Sequence, residues 1–557
     1  SKIMYKNILT IIFILSVFAE GQVAQMQNMD AAIRENGKYY AWIYFVDKVK
    51  SKKKSSISQK ALKRRSKVNL NNNYEWYDLN PSDDYINKVL NTGAKLRHQS
   101  RWLNAVSIEC TENELIEISY MPFVNDIQPV NQYRRTNLEE AQSSEGLQKT
   151  FSTSSIDYGL AYEQLEQINV PKAHEAGYFG QGVTVLMLDT GYNLDHLAFD
   201  SLNVIAQWDV INDDSTTMNE DGQDVAWQHN HGTNVLSVIS SYVPGVIVGP
   251  AFRAEYILAK TEIINEEIEI EEDNFIIALE WGENRGADVM STSVGYTDWY
   301  SPEDLDGNTA RITRAVDIAV SFGMVCVASA GNENGNYWDA VTPPADADLV
   351  MSVGAVDKYG IIAGFSSRGP TSDGRIKPEV CARGVDTYCA HGNGISYYGP
   401  DGTSYAAPLV AGAAAVLLSA HPNWTPGMVR EAILETASQS NNPNYDYGYG
   451  IIDVWAAINY NASSLFTPEL KQNYPNPFNP NTTIEYELRQ SSNVKLVIFD
   501  ILGREITTLI NNFEPSGIKS VKWNGTNNDG YPVSTGIYFY SLIIGDSKIT
   551  KKMLLIK

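Results

Sequence analysis

The sequence predicts an α/β protein: a parallel sheet with helices on both faces, preceded by a small α+β unit and followed by a β-sandwich. Three observations carry this. Between residues 151 and 464, short apolar runs alternate with helical patterns, as in a parallel sheet covered on both sides. Ahead of that block, strand-like and helix-like stretches follow one another in an order suited to helices packed on an antiparallel sheet. Behind it, a proline- and asparagine-rich stretch gives way to period-two strands separated by Asn and Gly turns.

Length and composition set the frame. A chain of 557 residues is long enough for several domains and a full core. Its formal net charge is −23, which argues against nucleic acid as a partner, because phosphate binding needs basic patches. Four cysteines, Cys110, Cys326, Cys381 and Cys389, are too few and scattered for a disulfide scaffold, and none forms a Cys-x-x-Cys pair. The acidity is uneven. Residues 23–150 carry +4, 151–464 carry −30 and 465–557 carry +2, so a mildly basic unit precedes a strongly acidic one and should attract it.

The first 21 residues read as a secretory signal: Lys2 and Lys6, an apolar run from Ile8 to Ala19, and the small-x-small site Ala19-Glu20-Gly21. The run is short of the ~20 residues that span a bilayer; a membrane anchor is the alternative. Residues 22–150 form the α+β unit and its linker, with strands expected at Tyr39–Val46, Ala105–Cys110 and Phe123–Val130 and helices at Tyr85–Leu90 and Glu112–Ile118. The basic stretches Lys50–Lys54 and Lys63-Arg64-Arg65 read as solvated faces or loop. Residues 136–156, polar and without apolar period, read as linker.

In the 151–464 block, strands are expected at Val183–Leu188, Tyr256–Ala259, Val289–Thr292, Val325–Ala328 and Val350–Val353. Helices are expected at Val235–Ser241, Phe275–Asn284, Ile312–Phe322 and Tyr405–Ala420. Residues 465–481 hold Pro468, Pro475, Pro477 and Pro480, a density that reads as an extended linker, and 482–557 supply the sandwich strands.

Three motifs carry chemistry. Asp189-Thr190-Gly191 ends a buried strand, His231-Gly232-Thr233 opens an apolar helix, and Gly402-Thr403-Ser404 precedes a helix of small residues. All three fall where parallel strands hand over to helices, the usual site face of an open α/β sheet. A serine hydroxyl needs an imidazole to take its proton, and the imidazole needs a carboxylate to set its tautomer. Asp189, His231 and Ser404 supply those roles. Each motif alone is weak; Asp-Thr-Gly also occurs in aspartic proteases.

Together, with their order and with Ala406-Ala407-Pro408, these residues resemble the subtilisin-like (S8 family) serine proteases. The resemblance covers roughly residues 157–460. It implies a subtilisin-like fold and a secreted, extracellular bacterial endopeptidase. It also implies that Asn332, within Ser329-Ala330-Gly331-Asn332-Glu333, holds the oxyanion. Ser293-Val294-Gly295 is implied as the substrate-pairing strand, with Ala330-Gly331 as the facing pocket wall. Phe365–Pro370 and Lys377-Pro378 match further family landmarks, whereas Ala382-Arg383-Gly384 stands where the family usually has Ala-Pro-Gly. Residues 22–150 resemble the family's prodomain, a folding aid and intramolecular inhibitor.

The tail, from Tyr474–Pro480 through Asp500–Arg504 to Lys551-Lys552-Met553, resembles the type A sorting domain of the type IX secretion system, an Ig-like sandwich that would address the chain to secretion machinery.

No cofactor is expected for catalysis and no metal at the site, while the resemblance leaves room for a structural calcium. His229 reads as loop or site rim, lacking the spacing of a zinc ligand. The acidic run Glu266–Asp273 lacks the ligand spacing of a calcium loop. It reads as a solvated loop or as a rim that favours basic substrates. Pairing of Cys381 with Cys389 stays open. Protein or peptide substrates are the expected partners. An inactive, protease-like adhesin and an esterase on the same triad are the alternatives.

Overall fold

In the computed structural model the chain is described from residue 25 to residue 556. The longest stretches left out are 69–74, 132–155, 265–268 and 462–468. The signal reading of 1–21, nearly all of the 136–156 linker, and Glu266 and Glu267 lie outside the described residues.

The N-terminal unit is a five-stranded sheet in the order Gln25–Met26, Val124–Pro129, Tyr39–Phe45, Ala105–Cys110, Lys95–Ser100. Strand alternation gives it two dissimilar faces. Ile43, Phe45, Val106, Ile108 and Ile127 point to the helices Asp83–Leu90 and Glu112–Ser119, which return Tyr85, Ile86, Val89, Leu115 and Ile118. The Glu112–Ser119 helix starts in a capping box made by Thr111 and Glu114. The other sheet face carries Trp42 and Tyr44, buried with the partly buried Ile270 of the next unit.

That next unit is built on seven strands, all paired in parallel. Their order is Val380–Arg383, Met351–Val356, Val325–Ser329, Val289–Thr292, Thr184–Asp189, Glu255–Lys260, Asn203–Asp209. Each central strand is apolar on both faces because both are covered. Val185, Met187, Leu258 and Val327 meet the helices Asn230–Ser240, Thr403–Ala420 and Pro426–Thr436, whereas Leu186, Ile257, Met290 and Cys326 meet Ile270–Arg285 and Arg311–Ser321. Thr403–Ala420 is long and apolar enough to cross a membrane, yet here it is the core helix. Two edge strands, Asn203–Asp209 and Val380–Arg383, escape the sequence reading; the first is half-exposed and so lacks a double-sided apolar run.

Three sequence readings are corrected. Of the basic cluster Lys63-Arg64-Arg65, only Lys63 is solvated. Arg64 and Arg65, on the helix Gln59–Ser66, are buried against the catalytic-block helix Ile270–Arg285. Both guanidiniums reach the Glu283 carboxylate, joined by Arg101 at 3.0 Å. Arg64 Nε also donates to Phe322 O at 3.1 Å, and Arg65 lies over the Phe322 ring.

With the N-terminal unit in place, the acidic run is not solvated where it is described. Asp273 accepts from Trp42 Nε1, from Ser107 Oγ at 2.8 Å and from Arg97 at 3.0 Å. Glu269 accepts from Asn131 N and pairs with Arg311, and Glu271 accepts from Ile263 N at 2.7 Å. Asp273 and Glu269 form part of the seat of the N-terminal unit. The expected attraction between basic and acidic units thus becomes a set of buried ion pairs.

The third correction concerns residues 465–481. From Glu469 onward this stretch is packed into the sandwich rather than extended between domains. Glu469–Leu470 pairs with Thr482–Leu488, and Phe478 is buried beside Trp523. Two sheets, of three and four strands, enclose Ile484, Tyr486, Leu496, Ile498, Tyr540 and Leu542. Pro475, Pro477 and Pro480 sit in bends ahead of the strand Thr482–Leu488, where no ladder N–H is missed. No disulfide joins Cys381 and Cys389, and both are buried. Cys326 is a buried core thiol that burial pushes well above its ordinary range.

Two buried carboxyls of the helix Ile270–Arg285 behave oppositely. Burial pushes Glu283 up, but Arg64, Arg65 and Arg101 outweigh it and hold it down at about 2. Its stabilisation is therefore present above the ordinary carboxylate range and is lost as pH falls toward 2. Burial pushes Glu272, which accepts from Tyr300 Oη at 2.8 Å, up to about 8. Its contribution is full at acid pH and declines as pH rises from the ordinary 4.5 to about 8. Glu283→Gln should cost about 3–5 kcal/mol in the unprocessed chain, as for one partner removed from a buried pair. Glu272→Gln, which keeps an acceptor for Tyr300, should cost under about 1 kcal/mol. Denaturant melts of the full chain at pH 7 measure both, and equal losses would contradict this assignment.

Candidate active site

Parallel pairing places every strand's C-terminal end on one edge of the sheet, and the site is assembled there. Asp189, the last residue of the central strand, is fully buried. Its Oδ1 accepts from Thr190 N at 2.7 Å and lies 2.7 Å from His231 Nδ1. His231 is the second residue of the helix Asn230–Ser240, its side chain 18% exposed and its ring beside Tyr405. The closeness of helix and strand end depends on Gly232. A Cβ there would sit 2.0 Å from Gly191 O and 3.2 Å from Asp189 Oδ1. Thr190 Oγ1 accepts from Gly232 N at 3.1 Å and ties the two motifs together.

Ser404 is the second residue of the helix Thr403–Ala420, in its first turn, where unpaired N–H groups and the helix dipole favour negative charge. Pro408, inside this helix, has no N–H to donate to Ser404 O four residues earlier. Ser293 fills the gap: its Oγ donates to Ser404 O at 2.8 Å, and Ser404 Oγ donates to Ser293 O at 3.2 Å. The segment Ser293-Val294-Gly295 is thereby bound directly to the serine motif.

Asn332 follows the strand Val325–Ser329. Its Oδ1 accepts from Thr403 N and from Thr403 Oγ1, each at 3.0 Å. With the carbonyl end held there, the amide nitrogen is left on the side of Gly402, whose Cβ position lies 3.7 Å from Nδ2. Gly331, at φ 105°, donates its N–H to Thr403 Oγ1 at 3.2 Å. Ala330, Gly331 and Asn332 are therefore gathered around the residue just before Ser404.

Two functional contributors escaped the sequence reading. Thr342 is wedged between the two expected pocket walls: a Cβ on Gly295 would meet its Oγ1 at 2.2 Å, and one on Gly331 its Cγ2 at 2.8 Å. It comes from a distant loop with no local signal, and its N–H donates to Ala330 O at 3.0 Å. Gln228 is buried next to His229. Its Nε2 donates to Thr190 O at 2.9 Å, and its Oε1 accepts from Ile264 N at 3.2 Å.

His229 caps the His231 helix and accepts from Asn219 N at 3.0 Å; burial lowers its pKa. Among the described residues no group of three or more His, Cys, Asp or Glu side chains is placed to hold a metal ion. The Ala382-Arg383-Gly384 departure is compensated locally. Arg383 Nε donates to Val385 O, and Gly384 O accepts from Gly402 N at 2.8 Å, steadying the approach to Ser404.

Known proteins resemble this chain in all three parts. The subtilase family profile matches residues 180–450, a Bacteroidota S8 propeptide domain 40–145, and a FlgD Ig-like domain 479–543. Subtilisin E of Bacillus subtilis (strain 168) is 31% identical over 367 residues, covering 66% of this chain and 83% of its own. The chain belongs to the subtilase family. It is accordingly a subtilisin-family serine endopeptidase with a propeptide domain ahead of the catalytic fold and an Ig-like domain behind it. The subtilisin of Bacillus pumilus is 34% identical over 315 residues, covering 54% of this chain and 98% of its own. Fervidolysin from Fervidobacterium pennivorans, a keratinolytic enzyme related to subtilisin, shares the fold with a TM-score of 0.58 at 19% identity. That match covers 94% of this chain and 73% of the fervidolysin chain.

Gly232→Ala tests the geometry in this subtilase. The new methyl has no room against Gly191 O, so the His231 helix must back away from Asp189. Peptidase activity should fall at least ~100-fold, as for a displacement near 1 Å in an active site. Steady-state kinetics on a chromogenic peptide, with circular dichroism to verify folding, checks it; near-normal turnover would contradict the close packing.

Proposed function

We propose that this subtilase cleaves peptide bonds through Asp189, His231 and Ser404, with Asn332 stabilising the oxyanion. The observation that carries the reading is the part-buried 2.7 Å Asp189–His231 bond, with the His231 ring 6.2 Å from the ring of Tyr405, the residue after the helix-start Ser404. His231 Nε2 takes the Ser404 proton as Oγ attacks the carbonyl carbon, and Nδ1–H stays on Asp189. The oxyanion receives the Ser404 N–H and the Asn332 Nδ2–H. His231 then protonates the leaving amine, and water, deprotonated by the same imidazole, hydrolyses the acyl-enzyme.

Ser293, Val294 and Gly295 pair with the acyl-side backbone of the substrate, and Ala330 with Gly331 faces them across the first pocket. Thr342 at its base makes that pocket narrow. No step is routed through a metal. The structural calcium that the family resemblance leaves room for finds no cluster of three carboxylate, imidazole or thiol side chains among the described residues.

The propeptide domain is an intramolecular inhibitor whose grip is the Arg64, Arg65, Arg101 and Glu283 cluster. Domain limits follow the sequence reading: signal 1–21, prodomain and linker 22–150, catalytic block 151–464, then the tail. The Ig-like tail is read as a type A sorting domain for type IX secretion, and the enzyme as secreted or displayed at the cell surface. Its support is the Asp500–Arg504 turn and the compact, self-contained sandwich core.

Ser404→Ala should abolish peptidase activity and leave the prodomain uncleaved where maturation is autocatalytic. Asn332→Ala should lower kcat by roughly 10²–10³, the size found on removing such a donor from subtilisin itself. Unchanged turnover in either would refute the mechanism. A chain ending at Ser464 should stay folded and active once purified, yet fail to reach the surface of its native host. Surface delivery without the tail, followed by immunoblotting of fractions, would refute the sorting role.

A further inference from the structure

Three neighbouring strands of the central sheet end in charged residues at one level. Lys260, last in Glu255–Lys260, stands in register with Asp189 on one side and Asp209 on the other. Register partners on adjacent strands point to the same face of a sheet. Lys260 and Asp209 are fully buried. The ammonium donates to Asp209 Oδ2 at 2.6 Å and to Asp224 Oδ1. Asp209 has other donors as well: Ile211 N at 2.9 Å, Asn212 N at 3.0 Å and Asn212 Nδ2 at 2.9 Å. It therefore anchors the lysine, and Asp224 is what the lysine holds.

Asp224 belongs to residues 215–229, which carry neither helix nor strand and run directly into the His231 helix. Asp221, Gly222, Gln223 and Ala226 are exposed, whereas the Asp224 side chain is only 5% exposed. Bonds within the segment make it one piece. Asp224 Oδ2 accepts from Glu220 N at 2.8 Å, and Val225 O accepts from Asn219 Nδ2 at 2.9 Å. Asn219 and His229 exchange two further bonds, at 2.8 and 3.0 Å. This piece is tied to the sheet edge through Lys260, through Gln228 Nε2 on Thr190 O, and through Tyr192 N on Thr217 O at 2.8 Å. Gly191, at φ 117°, lies between them. A Cβ there would be 2.6 Å from Thr217 O, 3.3 Å from Lys260 Cδ and 3.4 Å from His229 Cβ. The lysine stem thus packs against the Asp189-Thr190-Gly191 motif while its head holds the segment that delivers His231.

We propose that Lys260 is a positioning residue for the peptidase reaction: through Asp224 it sets where the His231 helix begins, and so how His231 meets Asp189. The proposal rests on the peptidase reading above. A carboxylate on an open loop gains nothing by leaving water, and it stays turned inward only where a buried cation receives it. Such charge-assisted bonds are shorter and stronger than neutral ones. Without that tether, a stretch lacking regular structure samples many positions, and the imidazole reaches the acid in only some of them.

The test compares enzymes made as the full chain, matured and assayed on one chromogenic peptide. Asp224→Ala leaves the Lys260–Asp209 pair buried and neutral and cuts only the tether. Its kcat should fall about ten-fold or more with KM changed less than about two-fold, since the base is misplaced while substrate contacts are untouched. The proton NMR resonance of His231 Nδ1–H, held on Asp189 in the parent, should broaden or vanish, which a loss of stability alone would not produce in the folded enzyme. Asp224→Asn keeps an acceptor for the ammonium and should retain kcat within about three-fold. Lys260→Met should lose kcat to the same extent as Asp224→Ala, and combining the two should lose little more. Should Lys260→Met not fold, Asp224→Ala decides. Unchanged kcat or an unchanged resonance in Asp224→Ala overturns the proposal. No turnover by the parent, with Ser404 inert to a fluorophosphonate probe, would instead refute the peptidase reading and the positioning role with it, so the two failures are distinguishable.

Discussion

All six strand pairs of the central sheet are parallel, and the rest of the molecule depends on that constraint. A parallel pair cannot be closed by a tight hairpin, so each return needs a crossover, and the crossovers cover both faces. The strands must then be apolar throughout, and all their C-terminal ends fall on one edge. Asp189, Asn332 and the Ser293–Gly295 segment, far apart in the chain, are brought together there because they follow strand ends. Two helix starts complete the set by packing onto the same edge.

What turns proximity into a site is the removal of side chains and donors. Gly232 lets a helix touch a strand end, and Gly295 with Gly331 makes room for Thr342. Pro408 withholds an N–H from Ser404 O, and Ser293 supplies the missing donor. Thr403 holds the carbonyl end of Asn332 through two bonds, so the amide orientation is set before any substrate arrives. These are small local choices, yet each positions a group that the proposed mechanism uses, which is electrostatic preorganisation in structural form.

The propeptide interface follows a different logic. One sheet face of the N-terminal unit is an ordinary core surface, and the other presents Trp42, Arg97 and Ser107 to the single carboxylate of Asp273. Three guanidiniums hold the Glu283 carboxyl below its ordinary range, whereas burial pushes that of Glu272 above it. Such an interface is specific rather than merely adhesive, because removing one partner strands the others without water.

Period and punctuation in the sequence alone determined the order of units, the parallel sheet, most of its strands and helices, and the location of Asp189, His231 and Ser404 at strand-to-helix junctions. These are legible because apolar period reports burial directly and because motif residues sit at strand-to-helix junctions that a linear reading can locate. Asn332 is reached only through the resemblance to subtilisin-like proteases. Only the tertiary structure decided the rest. The acidic run and the Arg64-Arg65 pair both read as solvated, since an isolated charge pattern says nothing about the opposite charge that will bury it. Thr342 had no signal, because its role is defined by two glycines on other segments. The proline-rich stretch before the sandwich read as linker, since proline density excludes regular structure but not packing. In each case the deciding physics was a contact between segments distant in the chain, which no local pattern encodes.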